Sequence, residues 1–313
     1  MGVAAGSVLA KSLKHWEPGT AEMTRRVDPW PAEAFAGLIG AAPPPLGPGD
    51  PLPPMWHWFT LLDHPAQSGI GADGHPADGP FLPPVPGRRR MFAGGRLRLD
   101  APIPVGADLS SRSSVAAVSV KSGRSGELAF VTVRHELAVD GTAVGIEEQD
   151  IVYRSQPDGA PAPQVPRPET GMPDPEGEWR LELATGPVLL FRFSALTYNA
   201  HRIHYDRDYA TRAEGYPDLV VHGPLLALLA LELPRVHAPG RPVRAFEFRL
   251  ARPAFAPAGS RRHGPAGREH APAAAPGRAA RAAGRAPLGP GSPRPASRSP
   301  CRNGCGARCR SGR

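Results

Sequence analysis

At Pro257 the chain changes character, and that break limits what can fold. From residue 257 to residue 313 there is no Val, Ile, Phe, Tyr or Trp, and Leu288 is the one leucine. Such a stretch cannot bury enough apolar surface to offset its ordering entropy. The core must come from the first 256 residues, enough for two modest domains. The same segment holds 12 arginines against one acid, Glu269, so the net charge of +8 belongs to it, while the body before it carries more acids than bases. The basicity is therefore no argument for a nucleic-acid partner, and the tail lacks the aromatic groups on which bases stack. Its abrupt Arg, Ala, Gly, Pro and Ser composition reads as out-of-frame translation of a GC-rich gene. The alternative is a genuine disordered basic tail.

All three cysteines, Cys301, Cys305 and Cys309, also lie there. Their four-residue spacing lacks the CxxC pairing of a zinc site, so no metal and no cofactor is expected. A body without cysteine excludes a disulfide framework and fits a reducing cytoplasm. No run of about 18 apolar residues is present, so no membrane span is expected, and the start lacks the pattern of a signal peptide.

Within the body, Asp28-Pro-Trp-Pro31 opens a short helix through Ile39, with Gly40 as its stop. Gly69 to Arg90 is Gly/Pro-rich and aperiodic, which suits an ordered functional loop. From Gly95 to Arg154 the pattern is β. Ala129, Val131, Val133, Leu137 and Val139 share one parity, and Asp140-Gly141 marks a hairpin. Seven prolines between Ser155 and Gly177 suggest a linker. Beyond it, Val188–Phe193 reads as an apolar strand, Asp206–Ala213 as a short helix, Gly223–Leu233 as a buried helix ended by Pro234, and Val243–Leu250 as a strand. A buried helix followed by antiparallel strands is the pattern of a helix wrapped by a curved sheet.

The chemistry concentrates in one stretch, Phe193-Ser-Ala-Leu-Thr-Tyr-Asn199-Ala-His201-Arg-Ile-His204-Tyr-Asp206-Arg-Asp208-Tyr-Ala210, followed by Val221-His222-Gly223-Pro224. It resembles the motif of the MaoC-like (FAS1-like) dehydratases and (R)-specific enoyl-CoA hydratases: an acid, a His five residues on, an Asp two later, and a small residue four after that. Asn199, His204, Asp206 and Ala210 occupy those positions. The wording Asn-Ala-His-Arg-Ile-His-Tyr-Asp, with Leu13-Lys-His-Trp16 and Arg89-Arg-Met-Phe-Ala-Gly-Gly95, is similar to the subgroup of mesaconyl-C4-CoA (3-methylfumaryl-CoA) hydratase and mitochondrial 3-hydroxyacyl-thioester dehydratase. The resemblance covers roughly residues 10 to 256.

The resemblance implies an α+β chain with a tandem hot-dog fold. A non-catalytic hot-dog domain over 10–155 would shape the acyl pocket, and 156–177 would link it to a catalytic domain over 178–256. That second hot-dog is short of strands, and 257–313 would be a disordered tail. It also implies an acyl-CoA or acyl-carrier thioester as partner, and a homodimer.

Hydrating an enoyl thioester needs a base for water, a donor for the α-carbon and dipoles for the enolate oxygen. His204 is the candidate base. Gly223, opening a helix, offers N–H groups and the positive dipole end to the thioester oxygen, with His222 beside it. Where the family has Asp, Asn199 cannot exchange protons at neutral pH and can only orient water or bind substrate. An Asx turn is its plainer reading. Asp206 would orient the imidazole, or serve as a helix-start residue. His201 reads as solvent-facing, and Arg88-Arg89-Arg90 as a solvated loop or a contact for carrier phosphates. Two other functions remain open: a hot-dog thioesterase, which the missing carboxylate at 199 disfavours, and an inactive acyl-thioester-binding protein.

Overall fold

The computed structural model describes residues 8–123, 126–156, 164–167 and 179–256. The tail from 257, nearly all of the Pro-rich linker and the turn at Arg124–Ser125 lie outside the described residues. A short helix α1 (Val8–Leu13) and strand β1 (Thr20–Arg26), neither apparent from sequence periodicity, come first. They precede α2 (Pro29–Ile39), which starts and stops where its caps require: Asp28 accepts from Trp30 N–H at 2.7 Å, and Gly40 takes the left-handed conformation.

The four long strands are β2 (Arg88–Leu99), β3 (Asp108–Gly123), β4 (Gly126–Val139) and β5 (Thr142–Ser155). Strands β3 to β5 form the expected meander. Asp140 and Gly141 both have positive φ, the geometry of a tight hairpin turn. On β4, Ala129, Val131, Val133 and Leu137 are buried, so the parity read from sequence is the real one. The β region begins at Arg88 rather than Gly95, which places the three arginines on a strand and not in a loop.

In the second half, α3 (Pro187–Leu196) replaces the strand expected at Val188–Phe193. The reason is spacing: Leu190, Phe193 and Ser194 are buried while Val188 and Phe191 are exposed, a helical stripe. Pro187 suits the first turn of such a helix. Helix α4 (Gly223–His237) runs one turn past the expected stop and carries Pro234 within it. Its buried face is Leu225, Ala227, Leu228, Leu231 and Glu232, while Leu226, Leu229 and Ala230 are only partly covered.

Strand β6 (Ala245–Arg249) closes the described chain and pairs antiparallel with β2, Gly94 opposite Arg249. The result is one antiparallel sheet ordered β1-β3-β4-β5-β2-β6, to which the second half adds its single described strand. The main core joins the halves: Phe35 of α2, Trp56, Leu97 of β2, Phe193 of α3, Leu228 of α4 and Phe248 of β6 share one apolar cluster. Phe35 meets the Trp56 ring edge-on at 5.1 Å and the Phe193 ring at 6.3 Å.

Candidate active site

The site is assembled at the N-terminus of α4. Val221 N–H donates to Ala254 O at 2.8 Å and Ala256 N–H to Leu219 O at 2.8 Å, so residues 219–221 lie in a ribbon with 254–256. Val220 is the pivot. Its N–H donates to Ile203 O at 3.0 Å, and its carbonyl accepts from the His204 imidazole at 2.8 Å. A carbonyl only accepts, so Nδ1 of His204 carries the proton and Nε2 keeps a lone pair. Burial holds the His204 pKa down to about 4, with the neighbouring His75 adding to the fall and the Val220 bond opposing it. His204 is thus a neutral imidazole at pH 7.

His222 immediately precedes α4, fully buried, with its ring stacked on His204 at 3.7 Å and 20°. Its Nε2 meets Ser194 Oγ at 2.9 Å, and its Nδ1 is buried without a partner. Burial, together with the His204 and His201 charges, keeps it well below the usual histidine range. Gly223 begins the helix. A β-carbon there would overlap the end of the Leu250 side chain and press on Phe92 at 3.3 Å, so a larger residue requires that leucine to shift.

Asn199 forms the Asx turn: its side-chain oxygen accepts from His201 N–H at 2.9 Å, leaving the amide NH2 as a donor. Asp206 accepts from Tyr209 N–H at 3.0 Å and pairs with Arg202 at 2.7 Å. It therefore starts the helical turn Tyr209–Ala213, and the group that orients the His204 ring is the Val220 carbonyl rather than Asp206. The Tyr209 N–H bond and the Arg202 guanidinium lower the Asp206 pKa.

His201, expected in solvent, is buried at 8% exposure, edge-on to His204 at 5.4 Å and against His75 at 3.9 Å. The loop read as functional supplies His75. Gly74, at φ 90°, lets that loop pass where a β-carbon would strike the Ala200 carbonyl. His75 Nδ1 meets Asp73 at 2.9 Å. Burial, then the charges of His75 and His204, lower His201 to about 2. Asp73, His75 and His201 have donor atoms within 4.8 Å of one another, the one such grouping among the described residues. The observed contacts are a carboxylate–imidazole bond and face-packed rings, with the Arg90 charge also acting on both histidines. Ser194, Val220, Asp73 and His75 were not identified from sequence, and only Asp-Gly-His in a Gly-rich loop hinted at the last two.

A cavity of about 1230 Å³ is lined by Asp73 and His75, while Asn199, His201, His204, His222 and Gly223 are not among its lining residues. Ser113, His135 and Glu147 stand opposite one another across β3, β4 and β5 on its wall. Glu147 accepts from His57 at 2.6 Å, Trp58 at 2.7 Å and Gln149 at 2.6 Å. Burial would raise its pKa, but the His57 bond and charge win and bring it to about 2. His135 Nε2 and His57 Nδ1 are buried without partners among the described residues.

No helix among the described residues is long and apolar enough to cross a membrane. Residues 55–256 match the family described as hydroxyacyl-thioester dehydratase type 2. The chain is 48% identical over 226 residues to mesaconyl-C(4)-CoA hydratase of Chloroflexus aurantiacus, spanning 72% of this chain and 79% of that one. It is 35% identical over 124 residues to the mitochondrial hydroxyacyl-thioester dehydratase type 2 of Schizosaccharomyces pombe, spanning 39% and 37%. Among solved structures, a MaoC-like dehydratase from Phytophthora capsici superposes with a TM-score of 0.52 at 14% identity, over 80% of this chain and 86% of that one. The motif, the fold and these matches agree: the chain belongs to the hydroxyacyl-thioester dehydratase type 2 family and has the tandem hot-dog architecture of MaoC-like dehydratases.

Proposed function

We propose that this chain adds water to the double bond of a short, carboxylated enoyl-CoA thioester of the mesaconyl type, or removes it in the reverse direction. The observation that carries the reading is the neutral His204, whose Nδ1 is held by Val220 beside the start of α4. Nε2 takes a proton from water as the water oxygen bonds to the β-carbon. The electron pair of the double bond moves to the thioester oxygen, where the Gly223 N–H and the positive end of α4 stabilise it. The imidazolium then returns its proton to the α-carbon, so water adds without net change to the enzyme. Asn199 orients the water through its amide NH2, and His222 supports the His204 ring from one face.

The cavity favours a polar acyl group. A wall with an ionised Glu147 and two unpartnered imidazole nitrogens is a poor lining for a long apolar chain. The relative from Chloroflexus carries mesaconyl-C(4)-CoA in its name. As part of the same proposal, two chains pair as a homodimer in a reducing cytoplasm, consistent with a body free of cysteine.

The test is to incubate the protein with mesaconyl-C4-CoA and crotonyl-CoA, following enoyl-thioester absorbance and free thiol together. A hydratase loses the absorbance without releasing thiol. Thiol release indicates a thioesterase, and no change with either ester rejects both enzymes.

A further inference from the structure

Four arginines line the cavity: Arg88, Arg89, Arg90 and Arg212. Three have evident partners. Arg88 donates to Ala77 O at 2.8 Å and Pro83 O at 3.1 Å. Arg89 pairs with Glu214 and donates to Tyr209 Oη at 3.2 Å. Arg212 stands 3.9 Å from Asp208 with its side chain largely in solvent. Arg90 bonds to the Tyr153 hydroxyl, which supplies no counter-charge, and no carboxylate or carbonyl partner is present for it among the described residues.

Arg90 is nonetheless half-buried. It sits on β2 opposite Tyr153, itself only 2% exposed, and both side chains line the cavity. Burial raises the Tyr153 pKa, and the Arg90 charge works against that rise. A guanidinium partly withdrawn from water without a counter-charge is an incomplete ion pair, and its planar fork matches a carboxylate. The nearest acid of the histidine row, Asp73, already serves His75.

Position completes the argument. Arg90 shares the cavity with His75, whose ring packs on His201, which in turn meets His204. Its charge reaches His75 and His201. An anion at Arg90 therefore lies on the His75 side of the cavity, where the row from His75 through His201 to His204 begins. The other end offers Glu147, six residues or about 20 Å along β5 from Tyr153, and that carboxylate repels anions.

We propose that Arg90 binds the distal carboxylate of the acyl group and so selects carboxylated over uncharged enoyl thioesters. This assignment rests on the hydratase reading above, and it makes Arg90 a specificity determinant rather than a catalytic residue.

The test uses ligands that cannot react. Succinyl-CoA and butyryl-CoA have equal chain length and no double bond, and they differ in the carboxylate. Calorimetric titration of the full chain is expected to show tighter binding of succinyl-CoA by about tenfold or more. In Arg90→Met that preference falls to within about twofold while butyryl-CoA binding is unchanged, and Arg90→Lys keeps part of it. Unchanged butyryl-CoA affinity and melting temperature establish that the variant is folded; if Met is not tolerated, Arg90→Gln takes its place. A wild-type chain without the preference, an Arg90→Met chain that keeps it, or equal loss of both ligands overturns the proposal. Loss of the preference in His135→Phe with retention in Arg90→Met also overturns it. Hydration of mesaconyl-C4-CoA and crotonyl-CoA by the wild type is scored separately, so failure of the hydratase reading is distinct from failure of this one.

Discussion

His204 and His222 lie face to face, ring centroids 3.7 Å apart and 20° from parallel, with the first residue of α4 directly after the second of them. Two stacked imidazoles in a buried site do not both take a second proton and become cations. The pair therefore keeps one ring available as a base next to a helix N-terminus.

Replacing His204 by Ala is expected to lower hydration by about 10²–10⁴-fold, the usual contribution of a general base. The fold should survive, since the loss is one hydrogen bond to Val220 and a small void, about 1–3 kcal/mol. Steady-state rates and circular dichroism together check this. A folded variant with more than a tenth of wild-type activity removes His204 from the role.

Asn199→Asp keeps the acceptor that holds His201 N–H, so the turn should persist. It restores a group able to exchange protons. The expected outcome is retained activity with an altered pH–rate profile. Activity at background in a folded variant means that the amide donates a hydrogen bond no carboxylate can replace.

Gly223→Ala puts a methyl group against Leu250 and Phe92. The expected cost is about 1–3 kcal/mol of stability, read by urea denaturation. Adding Leu250→Ala makes room. If the double variant regains activity along with freedom from that overlap, Gly223 acts by packing; if activity stays low, the backbone at 223 needs an open approach for the thioester oxygen.

Acid should destabilise the fold early. In the folded chain His204 titrates near 4, His201 near 2 and His222 well below 6.5, whereas in the unfolded chain all three take up protons near 6.5. The unfolded state therefore binds more protons below about pH 6.5, and stability falls as pH drops, by about 1.4 kcal/mol per pH unit for each histidine. For His204 the loss is complete near pH 4, and for the others it continues lower. Urea denaturation between pH 7.5 and 5 measures the slope, and a flat profile contradicts the burial of these rings.

The gene itself offers a check on the tail. If residues 257–313 are out of frame, another frame downstream of codon 257 encodes alternating Val, Ile, Phe and Thr with polar residues. Sequencing the coding DNA decides between that and a genuine basic tail.

The meander, its hairpin at Asp140-Gly141 and the core parity of β4 were legible because two-residue periodicity and turn chemistry are local properties. The helix at Pro187–Leu196 was not, because a ten-residue apolar run hides its period until the buried positions Leu190, Phe193 and Ser194 are known. In the site, the spacing from Asn199 to Gly223 pointed to His204 and His222, whose rings stack, whereas Asp206 turns to Arg202 and Tyr209. The partners that set their states, Val220 and His75, come from a backbone carbonyl and a distant loop, and no spacing rule reaches them.

Strand β6 has its hydrogen-bonded neighbour on β2, with Gly94 facing Arg249 across about half the chain. Hairpins β3–β4 and β4–β5 close quickly from adjacent segments, whereas this pairing must wait for a long loop to close. The ribbon that fixes Val220, and with it His204, uses residues 254–256, later still. On a ribosome the first half can become a sheet while His204 is still unsynthesised. The anchoring of His204 is then the last thing the chain builds, so a nascent chain stopped short of residue 254 would carry the cavity and the histidine without the ribbon that holds its Val220 partner.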